Sequence, residues 1–308
     1  MIQSIKIGTR ESELAVWQAT NVQSLLKENG IESELVYIKS EGDIDTVTPL
    51  YELGVQGIFT KTLDAALLNK KIDIAVHSMK DVPTQLAKGV RQAAVLKRAS
   101  YKDILVFKGD KDFLDDNNSN GIIATSSIRR KAQWLNKYPG HKIENLRGNV
   151  NTRLRKVNES QWNGAIFAAA GLERIDLRPK NSIDLDWMLP APAQGAIMVV
   201  CREDDTNSFE ACQHFNDAET ALCTKMERDF LRTLLGGCST PISALVEVRK
   251  DKLFLKGNIC SVDGKEIITI EKESPTGNSN QLGTISANEI LKNTMAKQII
   301  HSIRNEKK

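Results

Sequence analysis

The spacing of apolar residues changes along the chain, and each change predicts an element. Short apolar runs at residues 6–9 and 34–38 predict strands. Between them, residues 13–29 carry helical spacing that stops at Gly30. Residues 42–57 form a glycine-punctuated stretch with little periodicity, long enough to predict a mobile lid. A helix over 60–68 and strands over 72–76, 91–96 and 104–107 follow, with residues 99–101 a crossing point between domains. Residues 110–120 are acidic and asparagine-rich, which predicts a surface loop. Strands over 122–125, 143–146 and 165–168 then alternate with helices over 127–137 and 149–158. Alternation of this kind predicts α/β domains with mostly parallel sheets. Pro190-Ala191-Pro192 marks a break before the apolar run 196–200.

After Glu219 the pattern changes. A helix ends at Gly236-Gly237, and strands are predicted over 244–248, 253–259 and 267–272. Val262-Asp263-Gly264 joins the last two as a hairpin, and one amphipathic helix spans about 287–303. This portion reads as an antiparallel α+β domain. No literal internal repeat is visible.

Composition adds limits. Of 308 residues, 41% are hydrophobic but only 5% aromatic, so the cores are built mainly from Leu, Ile, Val and Ala. Residues 1–10 lack an apolar run of signal-peptide length, and no stretch approaches the ~20 apolar residues a membrane helix needs. The expectation is a cytoplasmic protein with no membrane partner. The five cysteines form no CxxC pair, which indicates neither a disulfide framework nor a metal site.

Charge is uneven. Residues 121–158 hold nine lysines and arginines against one acid, Glu144. That window carries +8 in a chain of net +3, leaving −5 for the rest. A concentrated basic segment suggests an anionic partner, although a solvated basic face has the same composition.

Four segments could carry chemistry. Residues 72–83 place Ser78, Lys80 and Asp81 just beyond a strand's C-terminal end, where open α/β sheets bind ligands. Alternatively, Ser78 or Asp81 caps a helix, Lys80 faces solvent and His77 is a structural imidazole. Ser126 or Ser127 can cap the next helix, and Arg129 and Arg130 then fall in its first turn. The helix dipole disfavours cations there, so the pair calls for an anion in front of it. Arg147-Gly148-Asn149 adds a third arginine and a glycine that admits close backbone approach, with Arg153 early in the following helix. Exposed ion pairs yield only ~0–1 kcal/mol, whereas hydrogen bonds to charged groups in a dehydrated cleft are worth ~1.5–3 kcal/mol each. Convergent arginines would therefore hold a multi-carboxylate ligand tightly. Finally, Gly236-Gly237-Cys238 followed by Pro241 describes an exposed tight loop. A thiol there could be nucleophilic near arginines. A buried inert thiol is the commoner fate and suits Cys201, Cys212, Cys223 and Cys260.

Taken in order, several pieces resemble the porphobilinogen deaminase (hydroxymethylbilane synthase) family. They are Gly8-Thr9-Arg10-Glu11-Ser12, Gly57-Ile58-Phe59, Val76-His77-Ser78-Met79-Lys80-Asp81-Val82-Pro83 and Ala124-Thr125-Ser126-Ser127-Ile128-Arg129-Arg130. Leu146-Arg147-Gly148-Asn149, Thr152-Arg153-Leu154, Ala169-Ala170-Gly171-Leu172, Gln194-Gly195-Ala196 and Gly236-Gly237-Cys238 complete the set, which covers nearly the whole chain.

The resemblance implies two periplasmic-binding-protein-like α/β domains with a double crossover and a small C-terminal α+β domain. Their bounds would be 1–98 with 196–214, 101–190 and 218–308. It implies a dipyrromethane cofactor attached through Cys238, onto which four porphobilinogen molecules condense with loss of ammonia before linear hydroxymethylbilane is released. Asp81 would be the catalytic carboxylate. Lys80, Asp81, Ser78, Ser127, Arg129, Arg130, Arg147 and Gly148 would hold the cofactor with Cys238. Arg10, Ser12, Phe59, Arg147, Arg153, Arg174 and Gln194 would bind the substrate, and no metal takes part. The family suggests a monomer. Gln56, Thr62, Leu235 and the pair Pro192-Ala193 depart from its usual pattern.

Three other classes fit the sequence less well. A non-catalytic two-lobed anion- or solute-binding protein would explain the arginines but not Cys238. Nucleic-acid binding through residues 121–158 has few aromatics to support it, only Trp134 and Tyr138. Dinucleotide binding lacks a GxGxxG after a strand.

Overall fold

The computed structural model describes residues 4–39, 60–116, 119–234, 240–278 and 281–305. The expected lid at 42–57 and the end of the helix at Gly236-Gly237 lie outside these residues.

Two five-stranded sheets share one topology. The first contains β1 (Ile5–Thr9), β2 (Ser33–Tyr37), β3 (Ile74–Ser78), β4 (Val90–Val95) and, from much later in the chain, β10 (Ile197–Arg202). Its order is β2-β1-β3-β10-β4. The second contains β5 (Asp103–Phe107), β6 (Ile122–Ala124), β7 (Lys142–Glu144), β8 (Gly164–Ala168) and β9 (Ser182–Asp184), in the order β7-β6-β8-β5-β9. In each, four strands point one way and one opposes them: β10 is antiparallel to β3 and β4, and β5 to β8 and β9. The opposing strand is always the one reached straight after a crossing, β5 after β4 and β10 after β9. The chain therefore crosses between the sheets twice, and the architecture is mixed α/β with a double crossover.

Helices cover both faces of the sheets, so the central strands are apolar throughout rather than alternating. Four residues each of β3 and β8 and five of β10 are buried, while edge strand β2 has none. Helix α1 (Glu13–Glu28) buries Ala19, Val22 and Leu26 on one face of the first sheet. Helix α2 (Lys61–Leu68) buries Leu63 and Leu67 in the other core. Helices α3 (Ile128–Lys137), α4 (Val150–Glu159) and α5 (Ala169–Glu173) serve the second sheet, and α6 (Thr206–Gln213) returns to the first core through Ala211 and Cys212.

The last part is an antiparallel meander of β11 (Ile242–Arg249), β12 (Lys252–Cys260) and β13 (Ile267–Pro275). It packs with α7 (Ala218–Leu234), α8 (Leu282–Ile290) and α9 (Thr294–Asn305) around Phe230 and Met226. The single C-terminal helix expected over 287–303 is two helices. The chain turns at Leu291, and the Asn293 side chain accepts from Ala296 N–H at 3.2 Å, capping the second. The strand expected at 72–76 is displaced to Ile74–Ser78, because pairing with β1 and β10 sets its bounds. Among the described residues no helix is long and apolar enough to cross a membrane.

Candidate functional site

Strand β3 ends in a single 3₁₀ turn, Met79–Asp81. Met79 is buried and anchors the turn, leaving Lys80 half-buried and Asp81 exposed at the strand's C-terminal end. A small open cavity of about 90 Å³ adjoins it, lined among others by Arg10, Ser12, Gln18, His77, Ser78 and Asp81. Ser12 occupies the N-cap of α1 but makes no side-chain cap bond. The Ser78 hydroxyl accepts from Gln18 Nε2 at 2.9 Å. Burial, reinforced by the positive charge of Arg10, lowers the His77 pKa to about 4, so the imidazole beside the cavity is neutral. Among the described residues, no hydrogen bond or ion pair engages the Asp81 carboxylate.

The second contribution comes from α3. Ser127 caps it, accepting from Arg130 N–H at 3.4 Å. Arg129 and Arg130 stand in its first turn and are 4% and 6% exposed. The anion they require comes from within the chain. Arg129 Nη1 lies 2.7 Å from Asp103 Oδ2, and Arg130 Nη2 2.7 Å from Asp103 Oδ1. Burial alone would raise the Asp103 pKa, but the two guanidinium groups hold it well below the usual carboxylate range. Further donors of the pair bond Leu189 O and Ile166 O, each at 2.8 Å. Among the described residues, buried Arg129 Nε has no hydrogen-bond acceptor.

Asp103 extends this network towards the first sheet. Gln194 Nε2 donates to Asp103 Oδ1 at 2.9 Å and to Tyr101 O at 2.7 Å, while Lys80 Nζ donates to Gln194 Oε1 at 3.2 Å. Gln194 is wholly buried, and its carboxamide is committed on both sides. It links Asp103 to Lys80.

Arg147 is buried, and Gly148 has a φ of +113° with its carbonyl accepting from Arg153 Nε at 2.8 Å. Burial and the nearby charge of Arg130 lower the Arg153 pKa to about 10 against the opposing pull of Asp81. Burial and Arg130 likewise bring Lys80 down to about 8, again opposed by Asp81. Lys80 and Asp81 from the first sheet thus share one electrostatic site with Arg130, Arg147 and Arg153 from the second. Arg174 lies beyond α5, donates to Gly195 O at 2.7 Å, and holds its guanidinium 5.8 Å from the Trp17 ring. Burial lowers its pKa to about 10. Gly195 itself has φ +87°, and a Cβ there would sit 2.6 Å from Ser100 O. Ala193, where the family resemblance leads one to expect glycine, also has a left-handed φ, +62°.

Cys201, Cys212, Cys223 and Cys260 are all buried, and burial raises each thiol pKa, to about 12 for Cys223 and Cys260. None of the four is placed as a nucleophile. Phe59 and Cys238 lie outside the described residues. Sequence reasoning missed Asp103 and Trp17. An isolated acid opening the apolar run 104–107 is the one signal that pointed to Asp103.

Comparison with known proteins covers the same ground. The family described as "Porphobilinogen deaminase, dipyromethane cofactor binding domain" matches residues 5–210, and "Porphobilinogen deaminase, C-terminal domain" matches 221–292. The porphobilinogen deaminase of Trichlorobacter lovleyi is 40% identical over 291 residues, 93% of this chain and 93% of its own. That of Desulforamulus reducens is 39% identical over 308 residues, 99% of each. Among solved structures, the methionine-binding protein MetQ aligns with a TM-score of 0.44 at 17% identity, covering 71% of this chain and 92% of its own. With both family descriptions matched in sequence order, and relatives this similar along nearly the whole length, the chain belongs to the porphobilinogen deaminase family.

Proposed function

We propose that the chain joins four porphobilinogen molecules head to tail on a dipyrromethane primer carried by Cys238, with loss of ammonia, and releases linear hydroxymethylbilane by hydrolysis. The observation that carries this reading is Asp81. Among the described residues nothing bonds its carboxylate, which stands at a cavity edge facing cationic side chains drawn from both sheets.

The residues present fit the primer's chemistry. A dipyrromethane bears acidic side chains and pyrrole N–H groups. Lys80, Arg147, Arg153 and the buried, acceptor-less Nε of Arg129 suit the carboxylates, and Asp81 suits the N–H groups. Ser78, Ser127 and Gly148 flank them. When bound, the primer supplies the pyrrole α-carbon to which porphobilinogen is joined.

Each of the chain's own groups has a task. Arg10, Ser12, Arg153 and Arg174 bind the acetate and propionate of porphobilinogen and orient its ring. The C–N bond of the aminomethyl group breaks with its electron pair leaving on ammonia, which puts positive charge on the pyrrole. Asp81 accepts the pyrrole N–H and offsets that charge, which is electrostatic stabilisation by a group already in place. Asp103 and Gln194 keep Arg129, Arg130 and Lys80 in position without neutralising the whole cluster. The reading includes a cytoplasmic monomer acting without nucleic acid. Burial of Arg129, Arg130 and Arg147 supports the last point, since it withdraws three charges of the basic segment from the surface.

The test is porphobilinogen consumption with ammonia release, comparing wild type with Asp81→Asn and Asp81→Glu. Removing the charge lowers kcat by about 10²–10³-fold, with a smaller effect on KM. A wild type that consumes no porphobilinogen sinks the function; an Asp81→Asn variant with wild-type kcat sinks the role of Asp81.

A further inference from the structure

Helix α7 carries three consecutive ions at depths where charges are rare, Glu227 at 0%, Arg228 at 9% and Asp229 at 6% exposure. Glu227 accounts for itself within the joints of the fold. It accepts from Arg98 at 2.6 and 3.1 Å, from Ala193 N–H at 2.6 Å and from Val246 N–H at 2.8 Å. Both crossings and the third sheet meet on that one carboxylate.

Arg228 points elsewhere. Its Nη1 donates to Val82 O at 2.8 Å and Met79 O at 3.3 Å, and its Nη2 to Pro83 O at 2.5 Å. These carbonyls bracket Lys80 and Asp81. Within the turn, Met79 N–H donates to Ala196 O at 3.0 Å and Val82 N–H to Met79 O at 3.2 Å. A carboxylate that stabilises developing charge must be fixed before the reaction, and a short 3₁₀ turn alone is a weak mount for it. Bonding to a charged donor in a buried setting strengthens that mount.

We infer that Arg228 is a positioning residue. It fixes the Met79–Pro83 turn, and with it the Asp81 carboxylate, in register with helix α7, whose chain reaches Cys238 ten residues later in the sequence. The Arg228 guanidinium thereby ties the turn that bears the reacting carboxylate to the helix that leads to Cys238. This rests on the transferase reading, and it adds a role in the chemistry to what would otherwise be an interface contact.

The experiment compares the purified full-length wild type with Arg228→Gln and Arg228→Lys. It measures hydrogen exchange at the Met79 and Val82 amides, kcat, KM and the denaturant midpoint. Arg228→Gln raises exchange at those two amides by about 10-fold or more, while strand β5 amides keep their protection. Its kcat falls by about 10–100-fold, the scale expected of a small misplacement, and KM changes less than about 3-fold. Arg228→Lys, which keeps a donor cation, folds and recovers part of both effects. A shift of the midpoint alone, with turn exchange and kcat per folded enzyme unchanged, overturns the positioning role. So does a rise in KM at constant kcat. A wild type inert towards porphobilinogen refutes the transferase reading, whereas unaltered exchange at Met79 and Val82 refutes the contact itself.

Discussion

Lys80 is held where burial and Arg130 both work against its charge, so its ammonium releases a proton near pH 8 rather than near ~10.4. Between those values the unfolded chain keeps a proton that the folded chain has lost. This group therefore makes stability rise with pH across that window, because ν for the unfolded state exceeds ν for the folded one. Ligand attraction runs the other way, since only the ammonium form pairs with a carboxylate. The account predicts that kcat/KM, which reports the free enzyme, falls above about pH 8 and that Lys80→Arg moves this limb to higher pH. A limb that stays near pH 8 in the arginine variant would assign it to another group. Much of this scale was legible beforehand. Lys80, Asp81, Arg129, Arg130, Arg147 and Arg153 stand in recognisable segments, and most of them meet in the structure. Asp103 was missed because its role depends on burial and on partners such as Gln194, about 90 residues away.

At the scale of elements, α3 shows how a locally unfavourable placement is compensated. Two arginines in a first turn oppose the helix dipole, and strand β5 answers with Asp103. Removing one member of a buried ionic cluster leaves the others uncompensated. Asp103→Asn therefore destabilises the protein by about 3–5 kcal/mol, measured as a lowered denaturant midpoint. A loss below about 1 kcal/mol would mean that water or another group satisfies the arginines. The period of apolar residues revealed most helices and strands because each buries one face or is covered on both. It missed β9, α5 and α6, which are short or carry a weak pattern. It also fused α8 with α9, because the break between them is set by one asparagine cap rather than by glycine or proline.

For the whole molecule, the two five-stranded sheets repeat a topology that leaves no literal repeat in the sequence. Alternation made the α/β class legible, but the double crossover required knowing that β10 joins β3 and β4 more than 100 residues upstream. Helices flanking the two sheets also meet, through Asn151 Nδ2 to Glu13 Oε2 at 2.7 Å and Arg174 over Trp17. We propose that such contacts bring a carboxylate from one sheet and arginines from the other to one ligand. The central claim is that this ligand begins with a covalent primer on Cys238. Intact mass of the purified protein beside a Cys238→Ser variant tests it most directly. The account predicts a dipyrromethane-sized increment on the wild type that the variant lacks. A wild type at its bare polypeptide mass, unchanged after incubation with porphobilinogen, would contradict it.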